Sequence, residues 1–165
     1  MNQYPLSADD FRQAMRLLTL PVAVITVDSG GQRNGLTASS FCSVSVDPPR
    51  ILVCIGKHAS AHSQLVAGEG IGINVLAPHQ MDQAMLFASK TRHGEQRFSN
   101  EGWHTLKSGA PILKDTAVSF DCIVDQIIDD TTHSIVTATV VAVEKGAGEC
   151  LLYRNGAPVA VPAEA

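Results

Sequence analysis

Between Val118 and Glu144 the chain alternates too regularly to be helical, and this stretch limits the fold more than any other. Val118, Phe120, Cys122 and Val124 fall on one side of an extended chain, with Ser119, Asp121 and Asp125 on the other. That pattern predicts a half-buried antiparallel strand. A turn at Asp129-Asp-Thr-Thr132 leads into His133-Ser-Ile-Val-Thr-Ala-Thr-Val-Val-Ala-Val-Glu144, a long β-branched strand, and Leu151-Leu-Tyr153 reads as a short closing strand. Upstream come Val22–Val27, a turn at Asp28-Ser-Gly-Gly31, two strands flanking Thr37 to Ser45, Arg50–Ile55, and the buried run Ile71–Leu76. Six or more strands in mainly hairpin order predict a mainly β protein, a closed or nearly closed antiparallel barrel with Greek-key-like order. A doubly wound parallel sheet does not fit this order.

Three helices are expected. Ser7 can cap one that carries Asp9 and Asp10 in its first turn and Phe11, Met15 and Leu18 at helical spacing, with Pro21 beyond its end. A short helix is predicted over Ala59–Val66 and another over Pro78–Ala88, where Met81, Met85 and Ala88 form a core-facing stripe. Ser89 to Gly109 is polar, bears glycines and is too long for an ordinary connection, so it is a candidate functional loop. With 165 residues and no shift in composition, a single domain spanning 1–165, with its core at about 8–160, is expected.

The 16 acidic and 12 basic residues are interspersed, which leaves no footprint for nucleic acid or an anionic membrane. The first ten residues lack the basic and apolar regions of an export leader, and the four cysteines (Cys42, Cys54, Cys122, Cys150) lack C-x-x-C spacing. A cytoplasmic protein with reduced, mostly buried thiols is expected.

The stretch from Asn34 to Pro49 carries the chemistry. Asn34, Gly35, Leu36, Thr37, Ala38, Ser39 and Ser40 are small or hydroxylic for the most part, and no carboxylate occurs from Asn34 to Val46. Such a segment offers donors to a flat, acceptor-rich ligand that becomes anionic on reduction, as a flavin does. It equally suits an ordinary half-exposed edge strand. Lys57, His58 and Ser60 follow the strand end at Cys54-Ile55, where a helix N-terminus can hold a phosphate; an ordinary helix start has the same composition. Lys90, Arg92 and Arg97 place three cations in the long loop, to reach that anion or simply to solvate the loop. His133 opens a strand at a predicted barrel mouth, a position suited to a bound ring or to a structural histidine. His58 and His62 share i, i+4 spacing but lack a third ligand nearby, so no metal site is expected. Nothing around Cys42 or Cys54 supports a Cys/His nucleophile with His133, and neither a Rossmann fingerprint nor a P-loop is present.

Phe11-Arg12 with Ala14-Met15, Gly35-Leu-Thr-Ala-Ser39, Ser43-Val44, Pro48-Pro49, Val53-Cys-Ile55 and Ile73-Asn-Val-Leu76 form the first half of an ordered set. It continues through Phe87-Ala88, Arg97-Phe98, Pro111 and Leu113, Thr132-His133 and Leu151-Leu-Tyr153. In this order the set resembles the short-chain flavin reductases of two-component flavin monooxygenases, such as the reductase components of 4-hydroxyphenylacetate and phenol hydroxylases. The resemblance implies a split β-barrel homodimer that binds FMN or FAD and passes hydride from NADH, or from NADPH, to the flavin for a separate oxygenase. By position, Asn34 to Ser40 would line the ring and ribityl chain, Cys54 and Ile55 its other side, and Lys57 and Ser60 the phosphate. Phe87 and the Lys90–Arg97 loop would close over the flavin or its adenylate end, and His133 would face the nicotinamide. Two departures from the family pattern stand out: Thr131-Thr132-His133 lacks the usual turn glycine, and Ala157-Pro158 replaces a tyrosine or arginine in the tail. The competing readings are a flavin-binding electron carrier or sensor without NADH turnover, and a flavin-dependent reductase of another acceptor such as a corrinoid.

Overall fold

A computed structural model describes residues 6–99, 101–146 and 148–160. The leader reading rests partly on residues 1–5, which lie outside the described residues. Helix α1 (Ala8–Arg16) is capped as its sequence predicts, with the Asp10 amide donating to Ser7 Oγ at 3.0 Å. Its apolar stripe, however, is not buried: Phe11 is 58% exposed, and Met15 and Leu18 border an open groove.

Strand β1 (Leu20–Pro21) precedes a run of hairpins: β2 (Ala23–Ser29), β3 (Gln32–Ala38), β4 (Phe41–Val46), β5 (Pro49–Gly56) and β6 (Gly70–Val75). Then follow α2 (Met81–Ala88), β7 (Trp103–Thr105), β8 (Pro111–Leu113), β9 (Val118–Asp129), β10 (His133–Lys145), β11 (Leu152–Arg154) and β12 (Ala157–Val159). Seven strands form one antiparallel sheet in the order β3-β2-β6-β9-β10-β5-β4. The two end strands, β3 and β4, are consecutive in the chain and separated only by Ser39 and Ser40. Three extended steps span at most about 11 Å, so the sheet has to curl until its ends meet. No ladder joins β3 to β4, and the barrel is split along that line.

Inward-facing Ile25, Val53, Ile55, Ile71, Ile73 and Val136 fill the barrel. A second cluster lies outside it, where Val22 and, on the outer face of β2, Val24 meet Ala84 and Phe87 of α2. Phe87, Phe98 and Trp103 pack there with ring centroids 4.7–5.5 Å apart. The long polar loop is therefore anchored by its own aromatics.

Three further expectations change. Val118, Phe120, Cys122 and Val124 do face the barrel core, but the opposite face of β9 is solvated only from Asp125 onward: Ser119 and Asp121 are both 0% exposed. β8 covers that face, and each polar group there has a partner. Asn74 Oδ1 accepts from the Leu113 amide and Ser119 Oγ, Thr26 Oγ1 donates to Pro111 O at 2.5 Å, and Asp121 accepts from the Ser108 amide and hydroxyl. Gly72 makes the close approach possible, since a Cβ there would lie 2.3 Å from Thr26 Oγ1 and 2.7 Å from Pro111 O. The helix predicted over Ala59–Val66 is only a 3₁₀ turn, His62–Gln64. A segment this short gains too few hydrogen bonds to offset helix nucleation, and His62 instead reaches across to Ser134 Oγ at 2.8 Å. Among the cysteines only Cys122 is buried; Cys42 is exposed, and Cys54 and Cys150 are half-buried.

Candidate functional site

The hinge at Ser39-Ser40 pulls three distant parts of the chain onto one rim. Ser40 binds Cys54 twice, its carbonyl accepting from the Cys54 amide at 2.9 Å and its hydroxyl donating to the Cys54 carbonyl at 3.0 Å. Three residues before Thr37, Asn34 makes the second clamp: its Oδ1 accepts from Ser60 Oγ at 3.2 Å and from the Gly35 amide at 2.9 Å. His133 pairs with Gly56 in the β10–β5 ladder, and the Lys57 amide donates to Thr132 O at 3.0 Å. The segments 34–40, 54–60 and 132–133 thus share one end of the split barrel.

Because β3 is an edge strand, alternate main-chain groups lie outside the ladder. Gly35 O is one of them and is taken by the Arg97 guanidinium. By alternation the main-chain groups of Thr37 face the same open side, flanked by the small residues Ala38 and Ser39. Those donors, together with the absence of any carboxylate from Asn34 to Val46, fit an acceptor-rich flat ring such as a flavin.

The other predicted residues divide between this rim and its supports. Ser39 and Ser60 are half-buried on the rim, and His133 is exposed there with its ring oriented by a 2.8 Å contact between Nδ1 and Thr132 Oγ1. Lys57 Nζ lies 3.2 Å from Asp129 Oδ1, and that carboxylate also accepts from Ser134 Oγ at 3.0 Å. The ammonium of Lys57, followed by the Ser134 hydroxyl, holds the Asp129 carboxyl below the usual range. Leu36 and Ile55 turn their side chains into the barrel core, so only their main-chain atoms can meet a ligand. Burial pushes the Cys54 thiol up, with the neighbouring Cys42 and Asp130 adding to the effect, which leaves it protonated and a poor nucleophile.

Phe87 and Arg97 do not reach the open rim. Phe87 is 1% exposed and packs behind Gly35, where a Cβ would lie 2.6 Å from Ile25 O and 2.8 Å from the Phe87 ring. Arg97 is 5% exposed; it donates to Gly35 O, to Arg92 O at 2.8 Å and to Ser89 O at 2.7 Å. Its burial pulls the guanidinium down from its ordinary value. It therefore clips the long loop to β3 and does not offer a free charge to an anion. Thr37 Oγ1 is likewise committed to Ala84 O at 2.6 Å, which seats α2 on β3. Lys90 remains exposed on the loop. The helix N-terminus expected beside Lys57 and Ser60 is absent, and a turn takes its place, with His58 exposed on it.

The network Lys57–Asp129–Ser134–His62 escaped sequence reasoning. Its members are up to 77 positions apart, Lys57 to Ser134, and no spacing connects them. Among the described residues no group of three or more His, Cys, Asp or Glu is arranged to hold a metal ion.

Residues 15–162 match the flavin reductase like domain family. An FMN reductase (NADH) RutF of Agrobacterium fabrum is 42% identical over 147 residues, 88% of this chain and 84% of that protein. The NADH:FAD oxidoreductase SgcE6 of Streptomyces globisporus C-1027, solved with NAD and FAD fragments, superposes with a TM-score of 0.88 at 27% identity over 98% of this chain and 97% of its own. BorF, the flavin reductase component of a bacterial two-component tryptophan halogenase, gives a TM-score of 0.87 at 30% identity over 96% and 100% of the two chains. With its split antiparallel barrel and its hydroxyl-lined rim, the chain belongs to the flavin reductase like domain family.

Proposed function

We propose that this chain is an NADH-dependent flavin reductase, working as one domain, that reduces FMN or FAD for a separate oxygenase. The observation that carries this reading is the open edge of β3 at Thr37–Ser40, pinned beside the Cys54–Ser60 turn with His133 on the same rim. When bound, the flavin supplies the redox chemistry, taking hydride from the nicotinamide.

The chain's own task is to hold and orient. Main-chain donors at Thr37 to Ser40 grip one edge of the ring and stabilise negative charge that develops there. Lys57 and Ser60 hold the phosphate, Lys57 exchanging part of its attraction to Asp129 for the ligand's anion. Asn34 sets the Ser60 hydroxyl in place. His133, fixed through Nδ1 by Thr132, presents its other ring nitrogen to the nicotinamide. No acid–base pair is needed for hydride transfer, because the reaction depends on stacking two rings in close register.

The relatives' activities with NADH, FMN and FAD support this reading, and NADPH is to be tested beside NADH. For assembly we favour a homodimer through the edge strand β4, where Val44 and Val46 stand exposed together with Cys42. No described helix is long and apolar enough to cross a membrane, and a cytoplasmic location accords with the reduced thiols.

The test is anaerobic mixing of the purified protein and FMN with NADH, following loss of the yellow absorbance. Rapid bleaching is expected; a yellow protein that stays yellow would make it a carrier or sensor. His133→Ala is expected to slow bleaching about tenfold while the FMN dissociation constant stays within about twofold. Equal loss of both would move His133 to the flavin site.

A further inference from the structure

Beyond Lys57, the end of the barrel carries three further polar groups joined in a row: Asp129, Ser134 and His62. Asp129 ends β9 and pairs in register with Ser134 of β10, which pairs in turn with Ile55 of β5. Residues opposite one another in antiparallel ladders project to the same face, and Ile55 places that face toward the barrel core. Lys57 follows two residues after Ile55 and sets Nζ 3.2 Å from Asp129 Oδ1. From the other side His62, on its 3₁₀ turn, sets Nε2 2.8 Å from Ser134 Oγ.

The hydrogens in this row can run only one way. The Ser134 hydroxyl has a single hydrogen and donates it to Asp129 Oδ1 at 3.0 Å. An ionised carboxylate has none to return, so His62 Nε2 has to carry a hydrogen and donate it to Ser134 Oγ. Donation therefore converges on Asp129 Oδ1 from two directions, from His62 through Ser134 on one side and from Lys57 on the other. Lys57 first, then Ser134, hold the Asp129 carboxyl below its usual range, and His62 adds a smaller pull in the same direction. Ser134 is fully buried, whereas the Asp129 side chain is 79% exposed. The buried hydroxyl fixes the carboxylate, and the carboxylate stays in water beside the ammonium.

An exposed ion pair contributes little, in part because two side chains must be ordered to make it. Here Ser134 already orders one of them, so Lys57 has an anion at hand within the protein itself. We propose that Asp129 is an internal stand-in for the flavin phosphate: its carboxylate competes for Lys57, so that a phosphorylated flavin is held loosely enough to leave once it is reduced. The inference rests on the reductase reading, in which Lys57 meets the phosphate and the flavin passes to a separate oxygenase. A phosphate monoester carries roughly −1.5 to −2 charge near pH 7 and displaces the singly charged carboxylate, so the competition lowers its affinity without abolishing binding.

The experiment is fluorescence titration of FMN and of riboflavin against the native protein, Asp129→Asn, Lys57→Ala and the double variant Lys57→Ala/Asp129→Asn. Asp129→Asn keeps the shape of an exposed side chain, so this variant is expected to fold. It should tighten FMN about threefold, the size of an exposed ion pair, and leave riboflavin within about 1.5-fold. The gain should lie in a slower dissociation rate of FMN, read by stopped flow. In the Lys57→Ala background the gain should vanish. FMN affinity unchanged or weakened by Asp129→Asn, both flavins tightened alike, or a full gain that survives without Lys57 overturns the proposal. If NADH bleaches the native FMN complex and Asp129→Asn shows no gain, this inference falls alone. A gain in a protein whose FMN is not bleached by NADH would sink the reductase reading and leave Asp129 as the competitor for Lys57.

Discussion

Two polar regions of this barrel are built from similar residues and do opposite things. Beneath β8, Thr26, Asn74, Ser119 and Asp121 are buried and bonded to one another or to main chain. At the split, Ser39 and Ser60 are half-buried and Lys57 and His133 reach the surface, each held lightly or by one partner. A polar group that is buried and satisfied specifies how elements dock, because losing its partner leaves another group unpaired in a dry place. A polar group that is oriented but not saturated keeps bonding capacity for something else. The contrast assigns structure to the first region and recognition to the second.

The largest effect expected from breaking this contrast is at Asn74. Asn74→Ala leaves the Leu113 amide and the Ser119 and Thr26 hydroxyls short of partners and should destabilise the protein by about 3 kcal/mol, read from chemical denaturation. Little loss of stability would mean that the seam is wet. Next comes Lys57→Ala, which should weaken FMN about tenfold, equivalent to about 1.4 kcal/mol, and leave riboflavin unaffected, since only FMN carries the phosphate. Equal weakening of both flavins would remove Lys57 from the phosphate.

The smallest effect is on acid stability. Hydrogen bonds from Arg33 hold the Glu95 carboxyl below its usual range, and Lys57 does the same for Asp129. For both, the folded-state value lies below the unfolded one. Their contribution is therefore complete above the ordinary carboxylate pKa of about 4 and is lost as pH falls through the lower folded value. Melting temperature should fall less steeply below about pH 4 in Glu95→Gln than in the native protein, and parallel curves would show that the pair contributes nothing.

Much of the barrel was legible before any coordinates. Alternation at Val118–Val124, the Ser7 cap and the Asp28–Gly31 turn all depend on neighbours in sequence, and each is present; the helix expected over Pro78–Ala88 is α2 from Met81 onward, with Pro78 opening a 3₁₀ turn before it. The Thr37–Ser40 segment was legible for the same reason, since composition alone marks a donor-rich stretch free of carboxylate. The roles of Phe87 and Arg97 were not, because charge and aromaticity do not reveal which side of a strand a loop will pack against.

Local periodicity, turn chemistry and the order of motifs by themselves determined the antiparallel barrel and the family to which the chain belongs. Only the tertiary structure decided that Ser119 and Asp121 are covered, that Arg97 is spent on main-chain carbonyls, and that Lys57, Asp129, Ser134 and His62 form one chain of contacts. The physical reason is that strand pairing follows from near neighbours, whereas burial and partner choice depend on groups tens of residues away that meet only when the sheet curls shut.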